Sequence, residues 1–122
     1  MGKDAEFVFS ASQWEPENGI KGSKKFYKAF IKKYGIEPSY HAASAYAAGL
    51  LIEEAVKRVG SLDRNKIRDV ISMMDTITPL GRFKVNKLGL QIKHMNLIIQ
   101  WQRGKKEIVW PEEMATSKPV WR

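Results

Sequence analysis

The stretch from Tyr40 to Gly60, YHAASAYAAGLLIEEAVKRVG, limits most sharply what this chain can fold into. Ala, Leu and Glu dominate it, and these are strong helix formers. From Ala42 to Ile52 nearly every residue is apolar or small, whichever way it faces. A helix that is apolar all round is buried all round, so this half calls for cover on both sides. From Glu53 to Arg58 the polar residues gather on one face, which should meet solvent. Glu53–Lys57 and Glu54–Arg58 stand four apart with the acid first, the favourable order for exposed helix pairs. Gly60 supplies a stop, since it adopts the left-handed C′ conformation without a Cβ penalty. A segment of about 20 residues has the length to span a bilayer, but two Glu, a Lys and an Arg in its last third argue against insertion.

The remainder must supply that cover from a total of 122 residues, enough for one modest domain and a single core. With 43% hydrophobic and 28% charged residues, the composition is that of an ordinary globular protein. Without cysteine there is no disulfide, thiolate metal site or thiol nucleophile, and the redox compartment is not legible. The formal charge of +8 permits contact with polyanions or an anionic membrane surface. The opening residues, MGKDAEF, do not read as a secretory leader. The expectation is a cytoplasmic protein or a piece of something longer.

In chain order, residues 6–10 (EFVFS) read as a short strand, with Phe7 and Phe9 on one face and Val8 on the other. A loop follows to Gly22, carrying Trp14, Pro16 and Asn18. A helix is expected over 23–34, N-capped by Ser23, with Phe26, Tyr27, Phe30, Ile31 and Tyr34 on an apolar stripe and lysines elsewhere. The central helix occupies 40–59. Ser61 or Asp63 caps a third helix over 63–74, built on Ile67, Val70, Ile71 and Met74. The period then changes to two: strands are expected at 82–85, 95–102 and 107–110. The last two form a hairpin turned at Arg103–Gly104–Lys105, and Pro111 ends the pairing. Residues 111–122 read as an irregular tail.

No motif carries catalysis. There is no glycine-rich phosphate loop, no HExxH and no spacing that supports a Ser-His-Asp set. His41 and His94 lie far apart, and Glu53 and Glu54 are already matched by bases. No carboxylate pair is placed for acid–base work, so no enzyme, cofactor or metal is expected. The lysine face of the first helix is a candidate phosphate-binding stripe, but it lacks arginine and its aromatics sit on the opposite stripe. A solvated face is therefore the simpler reading.

Taken together, the order of motifs resembles a known family. Trp14-x-Pro16, Phe30…Tyr34-Gly35, Pro38-x-Tyr40-His41-Ala42-Ala43, Tyr46-Ala47-Ala48 and Gly60-Ser61-Leu62-Asp63-Arg64 come first. Gly81-x-Phe83, Gly89-x-Gln91, Gln100-Trp101-Gln102-x-Gly104-Lys105 and Val109-Trp110-Pro111 follow. The pattern is similar to the C-terminal third of a substrate-binding protein of ABC transporters, of the branched-chain amino-acid receptor type. The resemblance implies an α/β periplasmic or lipid-anchored receptor with two lobes, each a parallel sheet flanked by helices, and a solute in the cleft between them. Within this chain it implies an α+β piece of a lobe: three helices and a few strands, including the C-terminal β-hairpin. It also implies an amino-acid-like solute and an ABC permease as partners, and no catalysis. Trp14 is expected to border the cleft, with Ser12 and Gln13 next to it and His41 and Tyr46 as further contacts. A truncated receptor would leave the apolar front of the central helix without cover, so a homodimer or domain swap through Ala42–Ile52 is expected. The alternative is a small cytoplasmic oligomeric module that touches nucleic acid or another polyanion through its lysine-rich helix.

Overall fold

The computed structural model describes residues 2–121. A 3₁₀ turn at Gly2–Ala5 leads to β1 (Phe9–Ser12), α1 (Ser23–Tyr34), α2 (Tyr40–Val59) and α3 (Arg64–Met73). Then come β2 (Asp75–Thr78), β3 (Gly81–Lys84), β4 (Leu97–Gln102), β5 (Lys105–Trp110) and a second 3₁₀ turn at Glu112–Met114. The mixed α/β character expected of the chain is present. The parallel sheet that the resemblance implies is not: the described strands pair antiparallel, as a sheet ordered β1-β4-β5 and a separate β2-β3 hairpin.

The helix ends follow local chemistry. Asp63 accepts hydrogen bonds from the backbone N–H of Asn65 (2.9 Å) and Lys66 (3.2 Å), which makes it the cap of α3. Ser39 caps α2, its Oγ accepting from Ala42 N. Ser23 does not cap α1. Gly22 holds that position in a left-handed conformation with no side-chain cap, and a Cβ there would meet Pro79 at 3.2 Å. The Ser23 hydroxyl is instead buried inside the fold.

Two strand expectations need correction. The first strand runs over 9–12 rather than 6–10, because Phe7 adopts a left-handed φ of 67° and breaks the extended run. The sequence reading passed over β2, whose Thr-Ile-Thr is a β-branched run that could have marked it. Beyond the second 3₁₀ turn the described tail has no regular structure, but it is fixed to the sheet. Gln100, fully buried, donates from Nε2 to the carbonyls of Phe7 (3.0 Å) and Val120 (2.8 Å) and accepts from Val120 N (2.9 Å). Gln102 Nε2 donates to Gln100 Oε1 (2.7 Å) and Lys118 O (2.8 Å), and Ser117 Oγ donates to Gln102 Oε1 (2.8 Å). These two side-chain amides act as a surrogate strand edge for residues 117–120, and Trp121 stacks on Phe9 at 5.0 Å.

The core is split. Leu97, Ile99 and Ile108 form one buried cluster on the β4–β5 sheet, with Met114 against it. Trp14, Phe26 and Ala43 form another, where α1 meets α2. Full burial of the front of α2 does not occur within this chain. Ala43 and Ala47 are buried, but Tyr46 is 45% and Ile52 53% exposed. The β2 strand borders that face across an open groove rather than packing onto it.

Candidate functional site

The apolar stripe of α1 and the front of α2 leave an open groove of about 1100 Å³ between them. Phe26, Phe30 and Tyr46 line it, and Leu50 and Ile77 extend the apolar surface. The rings touch in sequence. Phe26 stacks on Tyr46 at 4.7 Å between centroids, Phe30 lies 5.7 Å from Phe26, and Tyr34 lies 4.5 Å from Phe30. Trp14 meets Phe26 edge-on at 5.6 Å from behind. Such offset and edge contacts fix ring orientation as well as burying area.

The rim is charged. Lys21, Lys25 and Lys33 border the groove, and none forms an ion pair with a described carboxylate. The one acid on the rim, Asp75, is already engaged. It accepts from Arg82 at 2.7 and 3.0 Å and from Lys84 at 3.0 Å. These bonds, Arg82 first, hold its carboxyl well below the usual carboxylate range. Lys33 Nζ lies over the Tyr34 ring, 5.3 Å from its centroid, and ammonium groups without a carboxylate partner beside an apolar floor suit a solute with an apolar body and a carboxylate.

The sequence-derived candidates fall in different places. Tyr46 lines the groove. Trp14 is 2% exposed, and its Nε1 donates to Ser23 Oγ at 3.0 Å, so it supports the groove from beneath. Ser12 is buried and donates to Trp14 O at 2.9 Å, tying the loop to the end of β1. Gln13 lines a second cleft of about 430 Å³, with Asn18, Leu80 and His94. His41 is exposed and stacks on Tyr40 at 4.0 Å. Sequence reasoning placed Phe26 and Phe30 on a buried apolar stripe and the lysines in solvent; Phe26 is buried as expected, and Phe30 is half-buried. The signal it passed over was an aromatic stripe facing a helix of alanines too small to cover it.

His94 is the one described residue with a buried polar side-chain atom that lacks a hydrogen bond, its Nε2. Burial lowers its pKa below the ordinary 6.5. The unfolded chain therefore binds a proton before the folded one, and stability must fall as pH drops below about 6.5 toward the depressed folded value. Denaturant midpoints measured from pH 8 down to 5 should show this decline in the wild type. His94→Gln, which cannot titrate there, should flatten it, and an unchanged slope would exclude His94 as its source.

Among the described residues no three His, Asp or Glu side chains gather as a metal site. No described helix is long and apolar enough to cross a membrane.

Residues 1–106 match the family described as "Periplasmic binding protein". A Leu/Ile/Val-binding protein homolog 7 from Brucella suis biovar 1 (strain 1330) is 30% identical over 102 residues, 80% of this chain and 26% of that protein. The leucine-binding protein LivK of Thermotoga maritima superposes with a TM-score of 0.70 at 25% identity, over 88% of this chain and 31% of that one. A solute-binding protein from R. palustris, solved with benzoate, superposes at 0.76 and 19% identity, over 98% of this chain and 32% of that one; it shows shared fold alone. The chain thus spans between a quarter and a third of the length of these relatives. The family and fold are those of solute-binding rather than catalytic proteins, and the family is periplasmic. By the match over residues 1–106, the chain belongs to the periplasmic binding protein family, and it is similar to branched-chain amino-acid receptors of ABC transporters.

Proposed function

We propose that this chain is the solute-binding component, or a part of it, of an ABC-type transporter, and that the α1–α2 groove contributes to the solute site. The observation that carries the reading is the groove itself: stacked rings of Phe26, Phe30 and Tyr46 beneath Lys21, Lys25 and Lys33. Relatives solved with leucine, isoleucine and benzoate hold solutes of that character, an apolar body bearing a carboxylate. Trp14 and Ser12 then position the floor and Tyr46 touches the solute, while Gln13 and His41 stand outside the groove. The permease is the partner that family membership implies. The family match favours this reading over a polyanion-binding module.

Calorimetry tests it with leucine, isoleucine, valine and benzoate against lysine as control. The apolar carboxylates should bind weakly, in the millimolar range, because one groove wall cannot bury most of a solute. Tyr46→Ala should abolish the heat without unfolding the chain. Equal heats for lysine and leucine would overturn the proposal.

The exposed front of α2 supports a second reading of the chain by itself, one that closes the groove to solute: a homodimer, with or without exchanged elements, that buries Ala42–Ile52 between two copies. Light scattering at micromolar concentration should give twice the monomer mass. Leu50→Asp should return it to monomer, because a charge in that seam would be unpaired. A monomeric wild type would contradict the dimer.

A further inference from the structure

Between Asp75 and Glu107 the sequence holds no acidic residue, while Arg82, Lys84, Lys87, Lys93, Arg103, Lys105 and Lys106 are all cationic. Within this stretch, the loop joining β3 to β4 is pinned by two of its own side-chain amides, those of Asn86 and Gln91. Asn86 Oδ1 accepts from the N–H groups of Leu88 (2.9 Å) and Leu90 (3.0 Å), and Asn86 N donates to Leu90 O at 2.9 Å. Gln91 Oε1 accepts from Lys84 N (3.0 Å), Ile92 N (3.0 Å) and Lys93 N (3.2 Å), and Gln91 Nε2 donates to Arg82 O (3.3 Å). Its apolar side chains turn outward: Leu88 is 83%, Leu90 61% and Ile92 49% exposed. A single exposed leucine needs no explanation, but three such residues within 88–92, on a loop pinned by its own amides, form a fixed apolar tip. Lys87 and Lys93 flank the tip, and neither pairs with a described carboxylate.

We propose that this loop seats on an anionic lipid bilayer, with Leu88, Leu90 and Ile92 entering the headgroup–acyl boundary and Lys87 and Lys93 meeting lipid phosphates. The chemistry favours a bilayer over an acidic protein. The tip offers no aromatic or arginine anchor of the kind that dominates protein interfaces. Several of its backbone amides are already satisfied by Asn86 and Gln91, which leaves few directional groups for a shaped pocket to read. What remains is apolar area plus two point charges, and those are the quantities on which interfacial membrane binding scales. Because the loop is already ordered, seating it loses little conformational freedom.

Vesicle co-sedimentation of the full chain tests the proposal, using phosphatidylcholine alone and phosphatidylcholine with about a quarter phosphatidylglycerol. Binding should appear on the anionic vesicles, weaken with salt and be slight on the neutral ones. Lys87→Gln with Lys93→Gln should weaken it about 30-fold, taking each lysine near the surface at its usual worth. Leu88→Ser with Leu90→Ser should weaken it about tenfold or more at unchanged charge. All of these substitutions fall at exposed positions, and circular dichroism should report intact folds. Sedimentation unaltered by either pair would overturn the proposal. So would binding to immobilised poly-glutamate with none to vesicles, which would assign the loop to an acidic protein.

Discussion

Trp14→Ala is expected to leave the chain close to unfolded at 25 °C. The indole is 2% exposed, meets Phe26 edge-on and packs in the cluster with Ala43. Truncating a buried Trp to Ala costs about 3–5 kcal/mol, and native domains hold only about 5–15. The Ser23 hydroxyl also loses the Nε1–H that it accepts at 3.0 Å, with a net loss of about 1 kcal/mol. This fold has little to spare, because its core is divided between two small clusters and the front of α2 stays open. Trp14→Phe keeps most of the apolar body and should lose about 1–2 kcal/mol. Denaturant titration checks both variants. A shift below about 1 kcal/mol for Trp14→Ala would mean that the α1–α2 contact does not hold the chain together.

Gln100→Leu should be nearly as damaging, for a different reason. The replacement is similar in size and more apolar, so simple burial favours it. Yet it strands both backbone groups of Val120 and one donor of Gln102. Each buried polar group left unpaired costs about 1–3 kcal/mol, though water reaching the freed tail relieves part of that. A loss of about 3 kcal/mol is expected, with residues 117–121 released from the sheet. Hydrogen exchange separates this local effect from global loss: the Val120 amide should become unprotected while Ile99 and Ile108 stay protected. Protection at Val120 equal to the wild type would show that the amide ladder does not hold the tail.

Helices were the most legible part of the fold, because their signals are local. Asp63 followed by a periodic apolar run, Gly60 as a stop, and acid-first pairs all act within a few residues. The strands were less legible. The left-handed turn at Phe7 leaves no mark in EFVFS, since any sequence reading extends an alternating run until a Gly or Pro appears. The attachment of the tail was missed for a related reason. Gln100 and Gln102 read as the polar face of a half-exposed strand, and only the folded chain shows that residues 117–120 return to satisfy them. For the site, Tyr46 and Trp14 were named through the family resemblance rather than from local pattern. The burial of Trp14 rests on Ser23 and Phe26, which the sequence places 9 and 12 positions away. The cationic rim was missed because a lysine that faces solvent and one that faces an open groove look alike along a helix.

The groove between α1 and α2 as a solute surface is tested most directly by locating a bound ligand. Isotope-filtered NMR on the chain with saturating isoleucine, and separately with benzoate, reads which protons lie within about 5 Å of the solute. Cross-peaks to the ring protons of Phe26, Phe30 and Tyr46 are the expected result. Cross-peaks confined to the Gln13–His94 cleft, or none at saturation, would contradict it.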